Sequence, residues 1–457
     1  MRISVEHMSM GHAIVIGGSM AGLLVARVLA DYFERVTIVD RDRFPAIGEQ
    51  RRGVPQGRHT HGLLAGGRRV LDELFPGISD TLIARGALDG DLIFRSRWFV
   101  EGGYFARQPS DVRGLHVSRP LLEGTIRERV LSFGNITAFE DGVVEGLVEN
   151  GERVTGIRLV GAPEMAADLV VDASGRGSQS PQWLEAIGYP KPEEERLEIA
   201  LGYATRCFRR RPSRFDDDLA VLIPKTPEGK RGGVMIAQEG DRWTVTLYSH
   251  FGGYPTSELK GFIEFAKTLA APCIHDEISR AEPLCDGAVA RFPASIRRRY
   301  EKLKRFPDGY LVVGDAISSF SPAFGQGMSC AALQAMELRK ALAEGTRNLA
   351  RRFFSKAAKV VDAPWTIVTG SDLRMAETKG RRGVPVSFIN WYISKLHRAA
   401  HRDPVAAEAF LRVANLLAPP PSILHPTIVI RVLKGNLFPA SVALPDRSEN
   451  GRERNAM

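Results

Sequence analysis

At 457 residues, 44% of them apolar and 25% charged, the chain has the composition of a globular protein of two or three domains. That balance excludes a largely disordered chain, a fibrous repeat and a polytopic membrane protein, and no run reaches the ~18 uninterrupted apolar residues of a membrane span. The net charge of +9 is uneven: residues 346–457 carry 18 Lys and Arg against 8 Asp and Glu, which leaves the first 345 residues nearly neutral.

A basic tail on a neutral body suits peripheral contact with an anionic membrane surface or an acidic carrier protein, as well as a solvated helical face. The aromatic-interleaved basic motifs of a nucleic-acid binder are missing, so no nucleic-acid partner is expected. Four cysteines (Cys207, Cys273, Cys285, Cys330) form no CxxC pair, and no histidine cluster has zinc-finger spacing, so no metal site is expected. This points to a reducing, cytoplasmic setting. Residues 1–11, with Glu6 and His7, lack the apolar centre of a signal peptide.

The first element is an apolar run at 12–16 that ends in Gly17-Gly-Ser19-Met-Ala-Gly22. Helical spacing follows across 23–32, with Leu24, Val28 and Tyr32 on one face, and 35–39 is a second apolar strand closed by Asp40. This βαβ unit is the context that a dinucleotide fingerprint requires. Gly17 and Gly22 take the first and third glycine positions, one for the tight turn and one for close helix–strand packing. Ser19 holds the middle position and is small enough to let backbone approach a pyrophosphate at the helix start. Asp40 stands where an acid accepts ribose hydroxyls, and Arg41 is taken with it. The same turn imitates a nucleophile elbow, but an elbow follows several strands and needs an acid and a histidine in order downstream. Neither condition is met.

Residues 45–67, rich in Gly, Pro, Arg and His, read as an extended loop, and a helix follows near 68–74. Arg58, His59 and His61 are cavity candidates; two histidines two residues apart on a loop suit local hydrogen bonds better than a metal. Four strand-like segments at 197–208, 219–223, 233–237 and 243–248 predict a separate antiparallel sheet, a roof over a pocket. A buried strand returns at 310–314, followed by a loop and a helix over about 328–344, with Gly345 as its cap. The remainder is mostly helical. Asp403-Pro404 forms an N-cap with a first-turn proline, and Pro419-Pro-Pro421 stops that helix.

Two later strings decide the reading. One is Asp168-Leu-Val-Val-Asp172-Ala-Ser-Gly175-Arg-Gly177. The other is Gly309-Tyr-Leu-Val-Val-Gly314-Asp315-Ala, followed by Ser321-Pro322-Ala-Phe-Gly325-Gln-Gly327-Met328. With the N-terminal glycine motif and Arg119 in Val-Ser-Arg-Pro-Leu-Leu-Glu, in that order, they resemble the single-component (group A) FAD-dependent monooxygenases, the group of para-hydroxybenzoate hydroxylase and squalene epoxidase. Further strings, Gly53-Val-Pro-Gln-Gly-Arg58-His-Thr-His61, Arg297-Arg-Arg-Tyr300 and Asp362-Ala-Pro-Trp365, look like those of polyether-type olefin epoxidases.

The resemblance implies an α/β fold with a Rossmann-like FAD-binding domain at 12–75, 117–180 and 285–345. It places a substrate domain with an inserted antiparallel sheet at 76–116 and 181–284, and a C-terminal helical region at 346–457. It implies that Arg119 contacts the cofactor's phosphates or ribitol, that Asp172 serves FAD and nicotinamide use, and that Asp315 accepts ribitol hydroxyls. Pro322, Gly325, Gly327 and Met328 would bring backbone and a helix start to the flavin ring, where reduced flavin is anionic. NADPH or NADH would be a transient electron donor, since only one dinucleotide fingerprint exists. Dioxygen would form a flavin C4a-hydroperoxide that transfers one oxygen atom to a small hydrophobic polyketide- or terpenoid-like substrate. No base for activating a phenol is found in the sequence, which favours olefin epoxidation. Aromatic hydroxylation, reduction of isoprenoid double bonds and halogenation are the alternatives; the Trp-x-Trp-x-Ile-Pro segment of halogenases is missing.

Overall fold

A computed structural model describes residues 10–212, 215, 217–380 and 384–437. The leader expectation at 1–9 and the last 20 residues of the basic tail lie outside the described residues. The chain opens with β1 (Met10–Ile16), α1 (Met20–Leu29) and β2 (Phe33–Val39). After a loop and two short helices come α2 (Arg119–Leu131), β3 (Ile136–Phe139) and β4 (Leu169–Asp172). The roof strands are β5 (Glu194–Arg209), β6 (Ala220–Ile223), β7 (Arg231–Gln238), β8 (Arg242–His250) and β9 (Ala288–Arg298). Then follow β10 (Tyr310–Val312), α3 (Gly327–Ala343), α4 (Leu349–Asp372), α5 (Val384–Ala399), α6 (Pro404–Ala414) and α7 (Pro426–Leu437).

The first sheet runs β10-β4-β1-β2-β3, parallel at every pairing. Its strands are continuous apolar runs because both faces are covered; Ala13, Ile14 and Val15 are fully buried. The chain leaves β1 toward β2 and β3 on one side and returns through β4 and β10 on the other. The carboxyl ends of β1 and β4 therefore flank a topological switch point, where open α/β sheets bind ligands. There the N–H of Ala173 donates to the Ile16 carbonyl at 2.8 Å.

The second sheet has eight strands, in which β9, β5, β8, β7 and β6 lie side by side. It is antiparallel except where β6 meets the Ser96–Val100 strand in parallel. The sequence reading placed 285–345 in the dinucleotide domain, yet β9 belongs to this roof. The 16-residue β5 extends far enough to pair with both β8 and β9 along most of its length. Asp403 caps α6 by accepting from the N–H groups of Val405 and Ala406, as its Asp-Pro signal predicts. Helices α5, α6 and α7 bury Tyr392, Leu396, Ala406 and Val432 in a small core of their own. Among the described residues no helix is long and apolar enough to cross a membrane.

Candidate cofactor and substrate site

One cavity of about 1600 Å3 runs from the switch point, beneath the roof sheet, to α5 and α6. A single drug-sized ligand takes roughly 300–1,000 Å3, so there is room for a dinucleotide and a second molecule.

At the switch point the wall is the turn into α1, with Gly17, Ser19, Met20 and Ala21. No side chain caps this helix, so its first N–H groups keep the capacity to bind an anion. Ser19 does not cap because its hydroxyl is engaged elsewhere: Oγ donates to Glu123 Oε2 at 2.9 Å and accepts from Arg119 Nη2 at 2.7 Å. Arg119 Nε donates to the same Glu123 oxygen at 2.8 Å. Arg51 completes the network, donating to Glu123 Oε1 at 3.3 Å, the Gly18 carbonyl at 2.9 Å and Asp42 at 3.1 Å. Burial by itself would push the Glu123 carboxyl up, but Arg119 and Arg51 hold it below the usual carboxylate range.

Asp40 lies on the cavity wall, accepts the Gly18 N–H at 2.5 Å and forms an ion pair with Arg51; Arg41 lines the same end. Sequence reasoning missed Arg51 and Glu123. Glu123 carried a signal, since it follows Arg119 by four residues in a helix-forming string, the spacing of a helical ion pair.

At the second end, Asp315 opens onto the cavity. Enclosure by protein pushes its carboxyl up, while Arg119 and Arg176 pull the other way. Pro322, Gly325, Gly327 and Met328 line the wall around the start of α3, which also has no side-chain cap. Gly325 has φ +65 with nothing within 4 Å of where a Cβ would stand, so the loop offers bare backbone to the cavity. Ser321 Oγ and Gln326 Oε1 are buried on this wall without hydrogen-bond partners. Two uncapped helix starts, unpartnered polar atoms and open glycine backbone around one cavity fit FAD. Its diphosphate would meet α1 and its ring the start of α3.

The structure does not bring Asp172 to this wall. Its fully buried carboxylate accepts from the Ser174 N–H at 2.8 Å, from Ser178 Oγ at 2.6 Å and from Ser180. This holds the turn that presents Ser174 and Arg176 to the cavity.

The roof contributes Tyr203, Thr246, Tyr248 and Lys225, and the extended loop contributes Arg58, His59 and His61. Burial pushes both histidines down to about 4. His59 shares a hydrogen bond with Thr205 Oγ1 at 2.8 Å, and His61 Nδ1 lies 2.9 Å from the His59 carbonyl, the local bonding the sequence suggested. Among the described residues no group of three or more His, Cys, Asp or Glu is placed to hold a metal. Toward α5 and α6 the wall carries the apolar side chains of Trp98, Val100, Ile393, Phe410, Val413 and Ile423, with Asn390, His397 and Asn415 among them.

A parallel sheet whose switch point opens between two helix starts, roofed by a second sheet, is the architecture of a dinucleotide-binding protein. The family described as "FAD binding domain" matches residues 11–354, and the chain belongs to it. It is 34% identical over 431 residues to protein Rv3254 of Mycobacterium tuberculosis (strain ATCC 25618 / H37Rv), covering 89% of this chain and 90% of that one. It is 27% identical over 368 residues to 6-methylpretetramide 4-monooxygenase of Streptomyces rimosus, covering 75% of this chain and 78% of the relative. Among solved structures, the flavin-dependent brominase Bmp2 matches with a TM-score of 0.64 at 15% identity, over 88% of this chain and 93% of that one. That last likeness is one of fold. The protein is an enzyme of the FAD-binding monooxygenase family, and the group A resemblance holds.

Proposed function

We propose that the enzyme uses NADPH or NADH and O2 to insert one oxygen atom into a lipophilic polyketide- or terpenoid-like molecule. The observation that supports this reading is a continuous cavity of about 1600 Å3, more than one dinucleotide needs, that runs from the glycine turn at α1 to the apolar side chains of α5 and α6. Bound FAD would supply the two-electron redox chemistry and the activation of dioxygen. Arg119 and Asp315 orient that cofactor, and the α1 start offsets its phosphate charge. The roof sheet and α5 keep water from the reacting atoms.

A second reading, hydroxylation of an aromatic ring, is supported by similarity to an enzyme named as a 6-methylpretetramide monooxygenase. Both readings are tested by supplying the FAD-loaded enzyme with NADPH, 18O2 and a panel of lipophilic olefins and polycyclic phenols. One 18O atom in a product supports the proposal, and its position separates epoxide from phenol. NADPH-dependent saturation without oxygen uptake would replace the proposal with the reductase alternative.

A further inference from the structure

Lys225 lies two residues beyond the end of β6, which is paired on both sides in the roof sheet. Its side chain is 6% exposed, against an Asp372 that is fully buried at the end of α4. Nζ donates to Asp372 Oδ1 at 2.8 Å and to Ser371 Oγ at 3.4 Å. It stands 5.5 Å from the centre of the Phe324 ring, one residue before Gly325 in the loop that starts α3. Lys225, Ser371 and Phe324 all line the cavity, with Asp372 behind them. An ammonium has three N–H donors, and these two hydrogen bonds leave the third free for a ligand. Asp372 Oδ2 is buried with no partner. Withdrawing two charges from water costs several kcal/mol per ion, so a pair this buried and this incompletely bonded is a poor device for stability alone.

This inference rests on the oxygenase reading and deepens it. We propose that Lys225, with Asp372 behind it, anchors and ionises a phenolic or enolic hydroxyl of the substrate beside the 322–324 loop. The hydroxyl O–H bond breaks and its proton forms an N–H bond on Nζ, while Nζ passes one of its own protons to Asp372 Oδ1. The ammonium is restored, Asp372 becomes a neutral acid, and the substrate oxygen keeps the electron pair. No oxidant or reductant is consumed.

The buried group keeps its net charge throughout. A carboxylic acid, arriving already ionised, would instead place two buried anions on one cation. An ionised ring oxygen enriches the carbons ortho and para to it, where an electrophilic oxygen is received. Burial pushes the Asp372 carboxyl above the usual range against the pull of Lys225, which improves it as a proton acceptor. The groups packed around Lys225 do not compete for this role. The Tyr248 hydroxyl accepts from the Lys225 backbone N–H at 3.2 Å, and burial raises its own ionisation well above the ordinary phenol value. His250 is pushed down to about 3 by burial and by Lys225, and stays neutral. Arg374 is engaged with Glu101 at 2.6 Å. The base that could not be found in the sequence is this pair, and it favours ring hydroxylation over epoxidation.

The test uses FAD-loaded enzyme with emodin, a hydroxyanthraquinone that is yellow when neutral and red when ionised, and with its tri-O-methyl ether. Difference spectra beyond the flavin band, taken over a pH series, report the ionisation of the bound probe. Bound emodin is expected to ionise at least tenfold more readily than free emodin, about one pH unit lower. Lys225→Met abolishes that displacement, whereas Asp372→Asn leaves the buried ammonium with no anion but the probe and keeps or enlarges it; the ether binds all forms alike. The double variant K225M/D372N removes both buried charges and stands in if a single variant fails to fold.

An unshifted ionisation, failure of emodin to bind, or a displacement that survives K225M would overturn the proposal. So would variants that weaken both probes equally and only lower the unfolding temperature, since the pair would then be a structural tie. Ionisation of emodin without 18O in any panel product removes the oxygenase reading and leaves the anchor standing. Products that carry 18O but show no dependence on Lys225 remove the anchor alone.

Discussion

A Cβ placed on Gly22 would lie 1.8 Å from the carbonyl oxygen of Gly17, so the turn after β1 and the first coil of α1 touch through bare backbone. No side chain can yield at such a contact, and Gly22→Ala must drive the helix off the strand. Overpacking costs about 1–3 kcal/mol where side chains can adjust, and a backbone clash of this size belongs at or beyond the upper figure. Gly325→Ala is the informative contrast. Its space is open, so only the left-handed φ is penalised, by about 1–2 kcal/mol. G22A should lower the unfolding temperature sharply, whereas G325A should fold and release FAD more readily on gel filtration. Equal unfolding temperatures for the two would contradict the packing argument.

Glu123 is the shared counter-charge of Arg51 and Arg119, and all three side chains are buried. Breaking a buried pair from one side leaves an uncompensated charge, typically at ~3–5 kcal/mol. Glu123→Gln keeps the shape and removes the charge, so it isolates this effect. It should destabilise the protein and loosen the Ser19 turn, raising the FAD dissociation constant at least tenfold in a fluorescence titration. A variant that binds FAD as tightly as the parent would show that the network does not support the cradle.

Much of this site was legible as local strings. The Gly17–Gly22 turn, the Asp315 strand end and the Gly325–Met328 helix start are each consecutive residues whose backbone geometry follows from their own chemistry. Asp403 could be read as a cap for the same reason. Arg51 reaches Glu123 across 72 positions of the chain, and Lys225 reaches Asp372 across 147. No periodicity links such partners, because their meeting is a product of tertiary packing. Asp172 shows the converse: its string resembles a cofactor motif, yet three nearby groups, from Ser174, Ser178 and Ser180, absorb its carboxylate. The assignment of β9 likewise depended on which sheet offered it a partner.

Five histidines enclosed by protein make stability depend on acid. Burial pushes His59, His61 and His116 down to about 4 and His250 and His397 down to about 3, from an ordinary 6.5. Below that ordinary value the unfolded chain binds protons that the folded chain refuses, so stability falls as pH falls through the window from 6.5 toward 4. Above it, these groups add no slope. Each contributes up to ~1.4 kcal/mol per pH unit, and together they weigh heavily against a total stability of ~5–15 kcal/mol. Urea midpoints should therefore be level from about pH 7 to 8 and drop steeply between about pH 6 and 5. A midpoint unchanged across the acid window would mean that these histidines are hydrated in the folded protein.

If the substrate occupies the α5–α6 end of the cavity, as proposed, that wall should set which molecules fit. Ile393 of α5 is half-buried on that wall, on a different element from the glycine turns proposed to hold the cofactor. Ile393→Trp adds bulk to a cavity-wall residue that also packs against the helical core, so the fold should tolerate it at the overpacking cost of about 1–3 kcal/mol. FAD content should not change. The KM for four-ring and long-chain substrates should rise at least tenfold, while one- and two-ring substrates retain their kcat/KM, since the energy of filling a preformed apolar pocket is lost only by molecules that reach it. Steady-state kinetics across a size series measures this directly. A uniform loss for small and large substrates alike would place the substrate elsewhere in the cavity, nearer the roof.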